Sequence, residues 1–224
     1  MKVLVLGLPR TGTQSLAEAL AQLGISPIYH MREVGKNQHA PLWTEAIEAK
    51  FEGGVPWGRE EFDGILGEYE GTACSGVGVR EKGLADYPAT IFPEELIEAY
   101  PEAAVILTVR EDEQKWHGSM MSTLIPAHAQ NGHRSSDMYR LAAKYHQHCW
   151  SNDFPQHGLA LYQKHNQAVR EAAARRAKKL LEYKPGMGWA PLCEFLGLPM
   201  PAADVPYPRA DDWLEFKQKG TEKA

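Results

Sequence analysis

The chain has 224 residues and a formal net charge of −5 at pH 7, with 43% hydrophobic and 24% charged residues. These proportions are typical of a soluble globular protein, and the length is sufficient for one domain with a substantial core, which we expect to span residues 1–224. The negative net charge argues against nucleic acids and anionic membranes as general partners.

Cysteine usage and the N-terminal residues indicate the compartment. The three cysteines, Cys74, Cys149 and Cys193, have no Cys-x-x-Cys spacing, which favours a reduced protein without a disulfide framework or a zinc site. The N-terminal apolar run ends at Gly7, too early for a signal peptide, and no stretch has the length of a transmembrane helix. We therefore expect a cytoplasmic protein that binds no metal.

The first motif along the chain is a strand, a glycine turn and a helix. Residues 3–6 form a short apolar run with the length of a buried strand, and a helical pattern of apolar residues begins at Leu16. In such a motif, backbone N–H groups of the turn and of the helix N-terminus point at one place, which predicts a phosphate-binding loop. The residues expected to surround the anion are Pro9, Arg10, Thr11, Gly12, Thr13, Gln14 and Ser15.

This loop departs from the nucleotide P-loop, Gly-x-x-x-x-Gly-Lys-Ser/Thr. Gly7 and Gly12 have the required spacing, but Thr13 and Gln14 occupy the positions of the lysine and of the Mg²⁺-binding hydroxyl. The pattern therefore favours a phosphate ester that needs no metal over a nucleoside triphosphate. A P-loop kinase or nucleotidase is one alternative, and a tight turn that binds no ligand is another.

The segment after the first helix alternates extended and helical patterns. Residues 25–31 are predicted to be extended, and helices are predicted over residues 41–52 and 60–67. Asp86 then precedes Tyr87 and a proline that disfavours helix, so we expect the aspartate in a turn. An aspartate at the C-terminal end of a strand in an open parallel sheet lies in the crevice where ligands bind. Capping of the next helix is the alternative role, but that helix begins too far away.

The most strand-like run in the chain covers residues 103–109 and follows a helix predicted to run from Pro93 to Tyr100. Its apolar, branched residues are typical of a central parallel strand that is buried on both faces. Arg110 comes directly after this run, again at the ligand edge of the sheet, and Ser119 lies about two turns into the following helix. A surface ion pair with a neighbouring glutamate is the alternative for the arginine.

The last third of the chain is predicted to be largely helical. Residues 121–157 are rich in histidine and aromatic residues, but a His-x-His pair on a helix points to two faces, which argues against a metal site. A long helix over residues 158–177 is followed by a short strand at residues 180–183, a second glycine turn at residues 184–189 and a polar tail at residues 213–224.

Five stretches together resemble one family, the sulfotransferases that use 3′-phosphoadenosine 5′-phosphosulfate (PAPS). The resemblance is strongest to a branch of P-loop-containing sulfotransferases that includes a schistosome enzyme known for activating oxamniquine. The stretches are spread over most of the chain: Gly7 to Thr13, Tyr29-His30-Met31, Asp86-Tyr87-Pro88 with Phe92, Glu95 and Leu96, Tyr100 to Arg110, and Gly188 to Gly197.

The resemblance implies a three-layer α/β/α fold with a mainly parallel sheet and a P-loop-like phosphosulfate-binding loop. It implies transfer of a sulfuryl group from PAPS to a hydroxyl, or less favourably an amine, of a small-molecule acceptor, with PAP as the product. Asp86 is then the base and Arg10 holds the phosphosulfate. His30 is expected near the acceptor, as a substrate contact or an auxiliary base; a structural hydrogen bond is its alternative role.

For the donor, the resemblance implies that Arg110 and Ser119 bind the 3′-phosphate and that a loop with Gly188 and Trp189 closes over it. Residues 121–157 correspond to a helical lid over the acceptor. Ser119 lies one residue further from Arg110 than in the family, and residues 71–85 include an insertion relative to it. A non-catalytic PAP-binding protein of the same fold is the remaining alternative.

Overall fold

A computed structural model describes residues 1–67, 82–130, 135–211 and 213. At its centre lies a five-stranded sheet in which neighbouring strands are all parallel, in the spatial order β2-β3-β1-β4-β5. The strands are β1 (Val3–Val5), β2 (Ile28–Tyr29), β3 (Gly83–Ala85), β4 (Ala104–Thr108) and β5 (Leu180–Tyr183). The predicted α/β class with a parallel sheet is confirmed.

Ten α-helices surround the sheet in the described part of the chain, and a 3₁₀ helix at Ala89–Ile91 precedes the fifth. The α-helices are α1 (Thr13–Gln22), α2 (Met31–Lys36), α3 (Ala40–Phe51), α4 (Arg59–Leu66), α5 (Pro93–Ala99), α6 (Glu113–Met121), α7 (Leu124–Gln130), α8 (Asp137–Trp150), α9 (Phe154–Arg175) and α10 (Trp189–Leu196).

Alternation along the central strand produces the three layers. Successive side chains of a strand point to opposite faces of the sheet. Val3 and Val5 accordingly pack with the apolar residues of α1 and α10, whereas Leu4 and Leu6 belong to a second, larger cluster that includes residues of α3, α5, α8 and α9. Helices therefore cover both faces of the sheet, as the three-layer α/β/α prediction requires.

Two helices begin earlier than the apolar pattern indicates, for identifiable local reasons. α9 begins at Phe154 because the side chain of Asp153 accepts a hydrogen bond from the backbone N–H of Gln156, which caps the helix. α1 begins at Thr13, directly after the left-handed Gly12. The second half of the predicted phosphate loop is therefore the first turn of a helix.

The parallel arrangement brings the predicted site residues to one edge. The carboxyl ends of parallel strands share an edge of the sheet, and β1 lies between β3 and β4. The loop after β1, Asp86 after β3 and Arg110 after β4 therefore converge there. Residues 68–81, which hold most of the inserted segment, and the tail beyond residue 213 lie outside the described residues. No helix in the described ranges has both the length and the apolar character needed to cross a membrane.

Candidate active site

Two glycines fix the loop after β1 against its surroundings. A Cβ on Gly7 would lie 1.9 Å from the Thr108 hydroxyl oxygen, so the chain can pass this close to β4 only with glycine. Gly12 has a left-handed φ of 95°, and a Cβ there would lie 3.1 Å from Cγ of Pro185. The loop is thus packed between β4 and the later glycine turn.

Within the loop, the Thr11 side chain is used internally. Its hydroxyl donates to the Leu8 carbonyl oxygen at 2.5 Å and lies 2.6 Å from the Thr108 hydroxyl, and the residue is buried. The group of Thr11 that can face an anion is therefore its backbone N–H. Because α1 begins at Thr13, the N–H groups of its first turn have no acceptor within the helix and point out of its end.

Arg10 stands at the centre of a polar cluster. It has a left-handed φ of 68°, a strained conformation for a side chain with a Cβ. Its Nε donates to the Ser119 hydroxyl at 3.2 Å, and its two terminal nitrogens donate to the two carboxylate oxygens of Asp211 at 2.8 and 3.1 Å. Its backbone carbonyl accepts from Nε of Arg110 at 2.8 Å. Arg10, Arg110 and Ser119, three predicted donor residues, are therefore brought together.

Arg110 is half-buried beside this cluster. Its backbone N–H donates to the Tyr162 hydroxyl at 2.8 Å, which ties the end of β4 to α9. Burial, and then the neighbouring charge of Arg10, lower the pKa of Arg110, although a guanidinium remains a cation at neutral pH. Two cations so close together favour an anion between them. Arg110 also lines a separate cavity of about 490 Å³ on the side of α9.

Helix α6 supports the loop through a second contact. The indole N–H of the fully buried Trp116 donates to the Pro9 carbonyl oxygen at 2.9 Å, one turn before Ser119 reaches Arg10. The start of α6 is fixed in turn by Asp112, whose side chain accepts from two backbone N–H groups of its first turn. A capped helix thus holds both the backbone just before Arg10 and the Arg10 side chain.

His30 and Asp86 form a buried pair on the other side of the loop. Nε2 of His30 lies 3.3 Å from Oδ2 of Asp86, and the residues are only 6% and 8% exposed. The two groups are close, but they are not hydrogen-bonded to each other. Neither ring nitrogen of His30 nor Oδ1 of Asp86 has a hydrogen-bond partner among the described residues. Asp86 also has a left-handed φ of 69°. Buried polar groups without partners are costly, so they point to a ligand that completes them.

A cavity of about 440 Å³ opens between this pair and the loop. Arg10, His30 and Asp86 line it together with apolar side chains of α7 and α8, among them Leu124 and Tyr145. Burial raises the pKa of Tyr145 and of Tyr87 above the ordinary tyrosine value, so both phenols stay protonated at neutral pH. The segment predicted to cover an acceptor therefore contributes a largely apolar wall.

A larger cavity, of about 1100 Å³, lies on the opposite side of the loop. Thr11, Gly12 and Ser15 line it, as do Gly188 and residues 206–211. Gly188 has a left-handed φ of 72°, and its carbonyl accepts from the Tyr183 hydroxyl at 2.7 Å. The Trp189 indole instead donates to the Val205 carbonyl at 3.1 Å and packs on Tyr207. Gly188 thus faces the cavity, while Trp189 supports the segment that forms its wall.

Comparison with known proteins identifies the family of the chain. The profile of the sulfotransferase domain family matches residues 2–216. The chain belongs to that family. Its relatives include Ava biosynthesis cluster protein M of Aspergillus versicolor, to which this sulfotransferase is 38% identical over 225 residues, covering 92% of this chain and 80% of that protein. Among the described residues of the sulfotransferase, no three His, Cys, Asp or Glu side chains are grouped as metal ligands would be.

Several residues that build the site of this sulfotransferase were not identified from the sequence. Trp116 holds the loop by a hydrogen bond to Pro9, and Tyr162 is hydrogen-bonded to the backbone N–H and carbonyl of Arg110. Thr108 packs against Gly7 and Thr11. Thr108 could have been found from its place at the end of the strongest predicted strand. Asp211 could not, because 201 residues separate it from Arg10 and no local pattern links the two.

Proposed function

We propose that this sulfotransferase transfers a sulfuryl group from PAPS to a hydroxyl, or less favourably an amine, of a small, mainly apolar acceptor. The observation that carries the proposal is the position of the loop between two cavities. One cavity contains a buried carboxylate oxygen and a buried imidazole that have no hydrogen-bond partner among the described residues, and the other is large and bounded by backbone N–H groups and glycine turns. A two-substrate transfer requires such an arrangement, with both substrates reaching one loop.

The residues present fit PAPS as the donor. The cavity of about 1100 Å³ is large enough for a nucleotide, and Gly12 and the start of α1 lie in its wall. We assign the phosphosulfate end to Arg10 and the N–H groups of residues 11–15, and the 3′-phosphate to Arg110 and Ser119. Gly188 lies in the wall expected to close over the nucleotide. When bound, PAPS supplies the sulfuryl group.

Asp86 is assigned as the base that takes the proton from the acceptor oxygen. Asp86 lines the acceptor cavity, and its Oδ1 is buried and has no hydrogen-bond partner in the described part of the chain, which leaves this oxygen available to accept a proton. His30 lies close enough to orient the acceptor or to share that proton. Arg10 and the first turn of α1 stabilise the negative charge that develops on the leaving phosphate as the acceptor oxygen bonds to sulfur.

The cavity on the side of Asp86 restricts the acceptor. Its volume of about 440 Å³ suits a small molecule, and its wall of leucine, methionine, alanine and aromatic side chains favours an apolar body. Asp86 and His30 are the lining residues that we assign to the polar group of the acceptor. The acceptor is therefore expected to carry a hydroxyl on an otherwise mainly apolar framework.

The test is a transfer assay with radiolabelled PAPS and a panel of phenols and alcohols. We expect labelled sulfate esters with PAPS, without added metal, and no turnover of ATP with Mg²⁺. Turnover of ATP with Mg²⁺ and none of PAPS would indicate a P-loop kinase or nucleotidase instead. Binding of PAP without sulfation of any panel member would indicate a non-catalytic nucleotide-binding protein.

A further inference from the structure

The contact between Arg10 and the C-terminal segment, which we define as residues 206–211, has no role in the proposed transfer. Asp211 approaches the Arg10 guanidinium with both carboxylate oxygens, in the paired geometry that makes arginine–carboxylate contacts strong. The side chains are only 11% and 25% exposed, so water screens the pair incompletely. This interaction therefore contributes more than an ordinary surface ion pair.

A second contact of the same segment also falls on a residue assigned to the donor. The Ser15 hydroxyl accepts from the backbone N–H of Ala210 at 3.0 Å and lies 3.3 Å from the Ala210 carbonyl. The segment forms one wall of the large cavity, and Asp211 is among the residues that line it. Two neighbouring residues of the segment thus engage the side chains of two residues that we assign to an anionic donor.

Charge explains why a carboxylate is suited to this position. Arg10 and Arg110 lie side by side, joined by the hydrogen bond from one side chain to the backbone of the other. Without a neighbouring anion, two partly buried guanidinium groups repel each other. Asp211 compensates that repulsion. A donor phosphate would compensate it in the same way, and a carboxylate left beside that phosphate would repel it.

We propose that Asp211 is a built-in counter-ion that occupies the Arg10 site until the donor arrives, and that the donor must displace it. Asp211 therefore sets the affinity of this sulfotransferase for its donor. The proposal rests on the proposed function, because it takes the anion at Arg10 to be a phosphate group of the PAPS nucleotide. Displacement also releases Ala210 from Ser15, so the cavity wall moves as the nucleotide binds.

The test compares calorimetric titrations of PAP into the wild type and into Asp211→Asn. This substitution removes the charge but keeps an oxygen that can accept from the Trp213 N–H, as Oδ1 of Asp211 does at 3.1 Å. We expect Asp211→Asn to bind PAP about tenfold more tightly, since the competing state is weakened. Without PAP, the variant should unfold at a lower temperature than the wild type, and saturating PAP should remove that difference.

Asp204→Asn is the matched control, because it removes one negative charge from an exposed position just before the segment. It should leave both PAP affinity and unfolding temperature unchanged. Asp211→Ser, whose side chain cannot reach Arg10, repeats the test if the asparagine variant does not fold. If the wild type binds PAP and the Asp211 variants bind it with the same or a lower affinity, the counter-ion proposal alone is overturned. Failure of the wild type and of all variants to bind PAP would overturn the donor assignment and the proposal with it.

Discussion

The polar groups on the two sides of the loop differ in whether the protein supplies their hydrogen-bond partners. On the donor side, Arg10 is bonded to Ser119 and Asp211, and Arg110 is bonded to the loop backbone. On the acceptor side, His30 and Asp86 are more deeply buried, yet both ring nitrogens of His30 and Oδ1 of Asp86 lack hydrogen-bond partners among the described residues. The first arrangement is stable without a ligand, whereas the second is costly until one binds.

This difference follows from the different ligands proposed for the two sides. The cationic side faces a highly charged ligand and would be unstable with its charges uncompensated, so a residue of the chain stands in for the ligand. The acceptor side must receive a hydroxyl, and a carboxylate already hydrogen-bonded by the protein would be a poor base for it. On the acceptor side, the polar groups that lack partners among the described residues therefore indicate where a substrate binds. On the donor side, the ion pair of Arg10 with Asp211 indicates it.

The largest expected effect comes from removing the acceptor-side carboxylate. Asp86→Asn keeps the shape of the side chain but cannot accept the acceptor proton, so we expect kcat to fall by about 10² to 10⁴-fold. PAP affinity, measured by calorimetry on the same preparation, should stay within about twofold, because Asp86 lies on the acceptor side. A variant that retains wild-type kcat would refute Asp86 as the base.

Removal of the Arg110 side chain should weaken the binding of PAP. Arg110→Ala deletes a charge-assisted contact, which predicts PAP binding weaker by about 10 to 100-fold. The control is Arg175→Ala, which removes an exposed arginine at the end of α9 that is paired with Glu94, and it should leave PAP affinity unchanged. Equal PAP affinity in the wild type and in Arg110→Ala would show that the 3′-phosphate binds elsewhere.

The attachment of the loop to β4, common to both sides, can be tested by stability. Gly7→Ala places a Cβ where Thr108 already lies, and overpacking of this kind costs about 1 to 3 kcal/mol of unfolding free energy. Gly118→Ala, at a helical position with open space around it, should be neutral or stabilising by up to about 1 kcal/mol. Urea titration measures both. Equal stability of the two variants would contradict the close packing described for the loop.

A smaller effect is expected on the pH dependence of stability, through His146 near the acceptor cavity. Burial, and then the neighbouring His128, lower the pKa of His146 to about 3, and its Nε2 has no hydrogen-bond partner in the described ranges. Between pH 6.5 and 3 the unfolded chain binds a proton at this residue and the folded chain does not, so stability falls as pH decreases.

For His146→Gln, the loss of unfolding free energy from pH 7.5 to pH 5.5 should be smaller than in the wild type by about 1 kcal/mol. His157→Gln, at an exposed position on α9, is the control and should lose as much as the wild type. An identical pH dependence of all three proteins would mean that His146 can bind a proton in the folded state.

The sequence predicted the features that depend on local pattern. Short runs of residues predicted β1, β4 and β5, and the position of Arg110 just after the second of them predicted that it would reach the ligand edge of the sheet. Asp86 was expected at the end of a strand, but no apolar run predicted β3 itself. Contacts between distant segments have no local signature, so the hydrogen bonds of Trp116 and Asp211 were not predicted. The single-domain organisation and the cytoplasmic location stay predictions.

Resemblance supplied what periodicity could not. The strand and glycine pattern alone indicates a phosphate site, and only the set of matching motifs pointed to PAPS and to a role for His30. Whether a side chain near a strand end lacks a hydrogen-bond partner depends on every neighbour around it. The contrast between the partnered donor side and the unpartnered acceptor side is therefore visible only in the folded chain.

The central claim, that Asp86 and the loop act on two substrates held on opposite sides of Arg10, is tested most directly by a single-turnover experiment. Enzyme preloaded with radiolabelled PAPS is mixed with an acceptor identified in the transfer assay, and label in the acceptor is followed over time. We predict rapid transfer by the wild type and at least about 10²-fold slower transfer by Asp86→Asn with the same amount of PAPS bound. Equal rates of transfer in the two proteins would contradict the account.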